Sequence, residues 1–409
     1  MNIEKMYSLI ESEVETVLPE VAELRREIHR NPELRFEEEE TAERIREFLS
    51  GSDIEFNPPF LGTDVTGLLR GGTGQSGVPA SRAAPTVILR ADMDALPLED
   101  ASDEETRSRR SGRAHACGHD GHTAVLAGTL KLLSRMRGRF TGDVGFIFQP
   151  GEEEGMGACK LLEAGLFREG LLRGLTGPII AALHGWPGMP TGSFASRPGP
   201  YMAAADRFVL TVTGAGGHGA MPHLSVDPVV ASAELVLALQ TIVSRKIDPT
   251  DPAVVTVGSI RGGTADNVIP DHVVLKGTIR SFDNRVQRTI KDEIDRISEG
   301  ICLSAGCNRI ISYSDSYPVL WNDPAVVEAA RDTVIEMFGT DGWYEGDTPS
   351  MGAEDFACYL DHFPGAMIRL GMGEDSPSLH APDFEFREEA LKPAIAFLSA
   401  FSIRTLERL

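Results

Sequence analysis

Residues Ala114 to His122 read Ala-His-Ala-Cys-Gly-His-Asp-Gly-His, and Thr123 to Leu133 continues as Thr-Ala-Val-Leu-Ala-Gly-Thr-Leu-Lys-Leu-Leu. Three of the chain's ten histidines and one of its five cysteines fall in the first stretch. Burying such a cluster is costly unless its groups are paired or coordinated, and imidazole with thiolate is the donor mix that suits zinc and similar divalent transition metals. The stretch is therefore read as part of a metal site. A Gly-rich surface turn with incidental histidines is the bland alternative, and it leaves the cysteine unexplained. Cys117 and His119 alternate and would share one face of an extended backbone, so His122 needs a turn or helix start to join them. The apolar residues that follow read as a helix.

Working outward, short continuous apolar runs end at further ligand-type residues. Val87-Ile88-Leu89 leads into Asp92-Met93-Asp94, and Val144 to Phe148 leads into Gln149-Pro150-Gly151-Glu152-Glu153-Glu154. Ile179 to Leu183 ends at His184, and Met367 to Leu370 is followed, a short loop later, by His380. Such runs alternating with helices predict an α/β domain with a mostly parallel sheet, whose ligands sit beyond the carboxyl ends of its strands. Residues 1–49 read as helical, with Val14, Val17, Leu18, Val21 and Leu24 and then Thr41, Ile45, Phe48 and Leu49 at helical spacing. The run Glu37 to Glu40 reads as a solvated helix start, and Gly71 to Pro85 as a surface loop.

Between His184 and the last run the pattern changes. Strands are predicted at Phe208–Thr213, Val254–Ile260, Val273–Ile279 and Arg309–Tyr313, with helices at Pro228–Val243 and Val286–Ile301. This β-α-β-β-α-β order is that of a split-βαβ, ferredoxin-like module. It would occupy residues 200–315, inserted into a discontinuous larger domain of residues 1–199 and 316–409. Two domains also suit a chain of 409 residues.

Composition narrows the function classes. The chain is 42% hydrophobic and 24% charged, ordinary for a globular protein, and its net charge of −22 repels nucleic acid and anionic lipid. No apolar run approaches the ~20 residues of a membrane span, and the opening residues lack the pattern of a secretory signal. A cytoplasmic location is expected, with no nucleic-acid or membrane partner. The odd, scattered cysteines do not look like a disulfide framework. Cys159, Cys302, Cys307 and Cys358 are expected as reduced core residues.

The presumed strand ends collect Asp92, Asp94, Cys117, His119, Asp120, Glu152, Glu153, His184 and His380. A structural zinc needs four ligands and no spare carboxylates, whereas two metals sharing a water need more ligands and an unligated base. A dinuclear hydrolytic centre is the better fit, with Glu152 or a neighbour as general base. Asp94 reads as a carboxylate that orients a ligand histidine and Asp92 as a strand-end cap. Asp120 and His122 would fix the loop and helix start by satisfying free backbone N–H groups. Glu354-Asp355 resembles a helix cap, His29, His272 and His362 read as structural or exposed, and His223 is open between a turn and a site role.

These residues carry a resemblance. The marks are Arg25-Arg26-Glu27-Ile28-His29-Arg30-Asn31-Pro32-Glu33-Leu34, Arg90-Ala91-Asp92-Met93-Asp94-Ala95-Leu96-Pro97 and His115-Ala116-Cys117-Gly118-His119-Asp120-Gly121-His122. Further on come Phe148-Gln149-Pro150-Gly151-Glu152-Glu153, Leu183-His184-Gly185-Trp186-Pro187, Gly217-His218-Gly219-Ala220-Met221-Pro222-His223 and Asn267-Val268-Ile269-Pro270. In this order, over nearly the whole length, the chain resembles the metal-dependent amidohydrolases and carboxypeptidases that include aminoacylases, hippurate hydrolases and auxin-conjugate hydrolases.

The resemblance implies a zinc-aminopeptidase-like catalytic domain with an inserted lid that makes a homodimer. It implies two divalent ions per subunit (Mn, Zn, Co or Ni), held by Cys117, His119, Glu153, His184 and His380, with Glu152 as base. His218 would stabilise the tetrahedral oxyanion, within its own subunit or across the dimer, and Asn267 and Arg280 would contact the substrate's amide oxygen and carboxylate. Arginine suits a bidentate carboxylate clamp. The substrate would be an N-acyl amino acid, acetyl or aroyl, or a dipeptide. Two departures stand out. The family pattern has Ala and two glutamates followed by Gly, whereas Gly151 here precedes three, which leaves the roles open among Glu152, Glu153 and Glu154; and Asp100 to Arg113 is unusually charged. A metallocarboxypeptidase or dipeptidase, or an N-acetyl-diaminopimelate-type deacetylase, would share the metal residues. A non-catalytic metal-dependent binding protein should have lost the base or a ligand, and neither is lost.

Overall fold

The computed structural model describes residues 3–72, 85–102, 106–175 and 177–408. Most of the expected loop Gly71 to Pro85 lies outside the described residues. The chain divides into two compact units, one of Met1–Gly199, Trp321–Thr348 and Cys358–Leu409, the other of Pro200–Leu320 and Pro349–Ala357.

The first unit is built on a seven-stranded sheet. Its strands are β1 (Ile54–Phe56), β2 (Val65–Arg70), β3 (Thr86–Asp92), β4 (Asp143–Gln149), β5 (Ile179–Trp186), β6 (Phe194–Ala195) and β15 (Gly365–Gly371), in the order β1-β2-β4-β3-β5-β15-β6. The four runs that the sequence marked as strands form the central parallel block β4-β3-β5-β15. Every residue of β3, β4 and β15 is buried, which is why these strands lack alternation. The antiparallel edges β1, β2 and β6 were not foreseen. Helices α1 (Ile3–Arg30), α3 (His119–Arg135) and α9 (Leu391–Arg408) pack on one another through Val14, Val21, Val125, Leu130, Ile395 and Phe401.

The single helical stretch expected over residues 1–49 is two helices, α1 and α2 (Glu39–Phe48). Asn31-Pro32 separates them, because proline has no N–H to donate and drives the residue before it away from helical geometry. A second correction concerns the cysteines. Cys159 in α4 (Gly157–Ala164) and Cys358 in α8 (Ala357–Leu360) form a disulfide with Cα atoms 5.6 Å apart. The two lie 199 positions apart, so no local spacing announces the bond, and an odd count does not forbid one pair. Cys117, Cys302 and Cys307 are free and buried.

Short strands β7 (Gly199–Met202) and β14 (Leu320–Asn322) lead into and out of the insertion. The second unit follows the expected β-α-β-β-α-β order with β8 (Ala204–Thr213), α5 (Pro228–Arg245), β10 (Ala253–Gly262), β12 (His272–Ser281), α6 (Asn284–Ala305) and β13 (Asn308–Tyr317). Its sheet is fully antiparallel in the order β10-β12-β8-β13. Both helices start on aspartates: Asp227 accepts from Val229 N at 2.8 Å, and Asp283 from Arg285 N at 2.6 Å. Phe208, Leu210, Leu235, Leu239, Leu275, Ile290 and Ile294 form a core separate from that of the first unit. α5 is, among the described residues, the one helix long and apolar enough to cross a membrane by length and composition. Its Ala231, Leu235, Leu239 and Ile242 are buried in this core instead.

Candidate metal centre

Asp92, the loop after β4, His184 near the end of β5 and the loop after β15 all stand at the carboxyl ends of parallel strands, where ligands of such sheets gather. Cys117 and His119 reach this place by a turn rather than by the extended backbone expected. Gly118 adopts φ +84°, a left-handed conformation that costs glycine nothing, and α3 starts at His119. Ligand atoms of Cys117, Glu153 and His380, of His119, Glu152 and Glu153, and of Asp92, His119, His122 and His184 then fall within 4.8 Å of one another in each group.

Hydrogen bonds decide which of these atoms are available. His119 Nδ1 lies 2.8 Å from Asp94 O, and His184 Nδ1 lies 2.8 Å from Gly185 O. A carbonyl only accepts, so each Nδ1 carries a proton, and the neutral form of each ring presents its lone pair at Nε2. His119 Nε2 is buried without a hydrogen-bond partner, and His184 Nε2 stands 3.7 Å from Cys117 Sγ. His122 differs. Its Nε2 accepts from Gly185 N at 2.7 Å and its Nδ1 donates to Asp92 Oδ1 at 2.6 Å, so both nitrogens are committed. Asp92 is not the strand-end cap expected, because Arg90 Nη1 holds its other oxygen at 2.6 Å. Nor does Asp120 satisfy loop amides with its carboxylate as expected. It binds His29 Nδ1 at 2.9 Å and Arg25 Nη1 at 3.1 Å, a buried tie between α1 and α3.

His380 takes φ +67°, rare for a side-chain-bearing residue, and is held there by its N–H on Ala116 O at 2.8 Å. Its Nε2 lies 3.0 Å from Glu153 Oε1. Burial pushes the Cys117 thiol up, while the thiol and the Glu153 carboxylate push His380 up to about 10. Burial opposes ionisation of Glu153 too, yet the hydrogen bond from His380 holds its carboxyl below the usual range. Sulfur, two imidazole lone pairs and a carboxylate that together retain a proton form a donor set fitted to divalent cations, which displace such protons on binding.

Asp94 does two things. Its backbone carbonyl orients His119, and its carboxylate accepts from Glu152 N and Glu153 N, each at 2.9 Å. The sequence reading missed Glu38, which is completely buried rather than solvated and accepts from Gly151 N at 2.9 Å. Nothing local signals this in a run of four acids.

His218 and Asn267 lie in the second unit, where the structure brings their segments together. β9 (Gly217–His218) pairs with β11 (Val268–Ile269), and Gly219 N donates to Asn267 O at 2.8 Å. His218 Nδ1 accepts from Ala220 N at 3.0 Å, which leaves Nε2–H as an outward donor in a cleft also lined by Asn267 and Val268. Arg280 on β12 is half-buried, donates only to the Ile279 carbonyl at 2.9 Å and has no salt bridge among the described residues. Glu354 Oε1 accepts from Phe356 N at 2.9 Å ahead of α8, in keeping with a helix start. His223 is an exposed turn residue, and His272 is exposed beside Asp271 at 2.7 Å. The charged segment Asp100–Arg113 is described except for residues 103–105, and Asp100 accepts from Ser102 N and Ser108 N within it.

The profile of Peptidase family M20/M25/M40 matches residues 88–404. The chain belongs to this family. It is 35% identical over 385 residues to the N-acetylcysteine deacetylase of Bacillus subtilis, covering 94% of this chain and 96% of that one. It is 36% identical to thermostable carboxypeptidase 2 of Saccharolobus solfataricus, covering 94% of both chains. The crystal structure of the Bacillus subtilis YxeP protein, described as a dinuclear metal-binding peptidase of the M20 family, superposes with a TM-score of 0.82 at 31% identity, over 97% of this chain and 99% of that one. This M20 chain is thus a metal-dependent amidohydrolase with the catalytic and lid architecture of its family.

Proposed function

We propose that this M20 hydrolase cleaves the amide bond of N-acyl amino acids, using a water deprotonated by Glu152. The reading rests on one observation: Cys117, His119, Glu153, His184 and His380 offer ligand atoms at one place, and the Glu152 carboxylate stands within 4.8 Å of those of His119 and Glu153 while its backbone N–H is held by Asp94. Two divalent ions held by those five residues would acidify a water and polarise the scissile carbonyl. Glu152 takes the proton of that water and passes it to the leaving amine. The Nε2–H of His218 donates to the oxyanion as charge develops there, and Asn267 supports the amide oxygen. Arg280, without a carboxylate of its own, binds the carboxylate of the amino-acid moiety. Asp94 fixes both the His119 tautomer and the two glutamate amides.

A second copy of the chain is the partner proposed for the lid. Val230 and Leu237 of α5 are 65% and 74% exposed, and Ile260 on the edge strand β10 is 51% exposed. Apolar side chains beside an unpaired strand edge mark an interface rather than a solvated surface. The test of substrate is a panel of N-acetyl amino acids, N-benzoyl amino acids and dipeptides, assayed against protein loaded in turn with Mn, Zn, Co and Ni. N-acyl amino acids should be turned over fastest. Cleavage of dipeptides alone would move the assignment to a dipeptidase, and no turnover with any metal would reject the hydrolytic reading.

A further inference from the structure

Residues Glu33 to Thr41 take no part in the chemistry above, yet they are built around the loop that carries Glu152. Ala95 N donates to Glu33 O at 2.8 Å, next to Asp94. The Glu33 carboxylate in turn accepts from Thr41 N at 2.8 Å and Thr41 Oγ1 at 2.9 Å, so the first turn of α2 is anchored to the same strand end. Phe36 sits at φ +64° with its ring over Gly151, where an added Cβ would come within 2.7 Å of Cζ.

From this frame Glu38 turns inward. Its Oε1 accepts from Gly151 N at 2.9 Å and its Oε2 bonds Thr63 Oγ1 at 3.1 Å. The next two amides, Glu152 N and Glu153 N, go to the two oxygens of Asp94, each at 2.9 Å. Three successive N–H groups are therefore taken by two buried carboxyl groups from different parts of the chain. The loop needs such external acceptors, because Gly151, Glu154 and Met156 have φ of +65°, +58° and +53°, and no helix or ladder sustains that conformation.

We propose that Glu38 is a positioning residue, whose hydrogen bond from Gly151 N–H fixes where the Glu152 carboxylate stands. This rests on the reading of Glu152 as the base. A buried carboxyl is a poor choice for stability alone, since an apolar side chain would avoid its desolvation. The Glu38 carboxyl accepts from both Gly151 N and Thr63 Oγ1, and burial pushes its pKa up to about 8. Glutamine keeps the bond from Gly151 N through its amide oxygen and can donate its NH2 to the Thr63 hydroxyl.

The test uses the metal-loaded enzyme on the best substrate of the panel. Glu38→Gln should keep kcat within about two-fold of wild type, whereas Glu38→Met should lower kcat by ~10- to 10²-fold with KM and metal content little changed, the cost of a misplaced catalytic group. If Glu38→Met does not fold, Glu38→Asp carries the same test, because it keeps the acid but withdraws it by one methylene. Crystal structures of the metal-free variants give a readout independent of turnover: Glu152 should move by ~1 Å in Glu38→Met or Glu38→Asp and stay in place in Glu38→Gln. An unmoved Glu152 in both Glu38→Met and Glu38→Asp, or Glu38→Gln as impaired as Glu38→Met, overturns the proposal. The two readings separate cleanly. Wild-type turnover by Glu152→Gln sinks the base assignment, whereas Glu38→Met at wild-type kcat beside an inactive Glu152→Gln sinks only the positioning role.

Discussion

Glu152 and Glu153 are neighbours with identical side chains and different surroundings. Both are held through their amides by Asp94, but the Glu153 carboxylate lies 3.0 Å from His380 Nε2 and sits against Cys117. Glu152→Gln should therefore retain its metal by elemental analysis and lose ~10²-fold or more in kcat, the range of a lost general base. Glu153→Gln should instead lose metal on dialysis. The reverse pattern would shift the roles by one position. Cys117→Ser should weaken metal binding, since a neutral hydroxyl replaces a thiolate, and full stoichiometry after chelator treatment would make Cys117 a packing residue. Residue types at the strand ends were legible in the sequence because chemistry-bearing side chains interrupt apolar runs there. Their commitments were not. Whether His122 or His184 offers a lone pair depends on Gly185 N and Gly185 O, backbone atoms that no side-chain pattern reports. Glu38 was hidden for a similar reason: its burial is set by Thr63 and Gly151, both far away along the chain.

At the scale of elements, the first turn of α3, next to the metal loop, lies close against Phe386 of the segment after β15. A Cβ on Gly121 would come within 2.1 Å of Phe386 Cγ, and the ring cannot retreat without disturbing the core around it. Gly121→Ala should cost ~1–3 kcal/mol, the usual penalty of overpacking, and lower the melting temperature by several degrees. The loop preceding α2 has a pH signature. Burial first, and then the Asp94 carboxylate, raise the Glu38 carboxyl from 4.5 to about 8, so the folded state keeps a proton that the unfolded chain has released. Stability from this group is fully present below about pH 4.5 and is lost as pH rises through about 8. The melting temperature of Glu38→Gln should thus match wild type near pH 4.5 and exceed it increasingly toward pH 8.5. A constant difference across that range would contradict the buried-acid picture. The central strands, α3 and the elements of the insertion were legible because each is long enough to show its period or an uninterrupted apolar run. β1 and β6, of three and two residues, carry no such signal.

For the molecule as a whole, action of His218 across a dimer can be tested by mixing. His218→Ala should lower kcat by ~10²- to 10³-fold with metal content intact, as expected for a lost oxyanion donor. Mixed with Glu152→Gln after exchange of tagged subunits, it should regain part of the activity, and exchange without recovery would reject action in trans. Leu237→Asp should shift the sedimentation of the protein toward a monomer, and an unchanged sedimentation coefficient would place the interface elsewhere.

The bond between Cys159 and Cys358 alters the connectivity of the chain itself. Everything from residue 159 to residue 358 becomes a closed covalent ring, and the core of the insertion, including both of its long helices, is threaded on that ring. A ring of about 200 residues removes on the order of 5 kcal/mol of chain entropy from the unfolded ensemble. Cutting the chain once inside the insertion would leave its two fragments joined in one molecule until the disulfide is reduced. The inserted domain is then one arc of a covalent loop, closed between Cys159 and Cys358, that stays closed even when the domain melts.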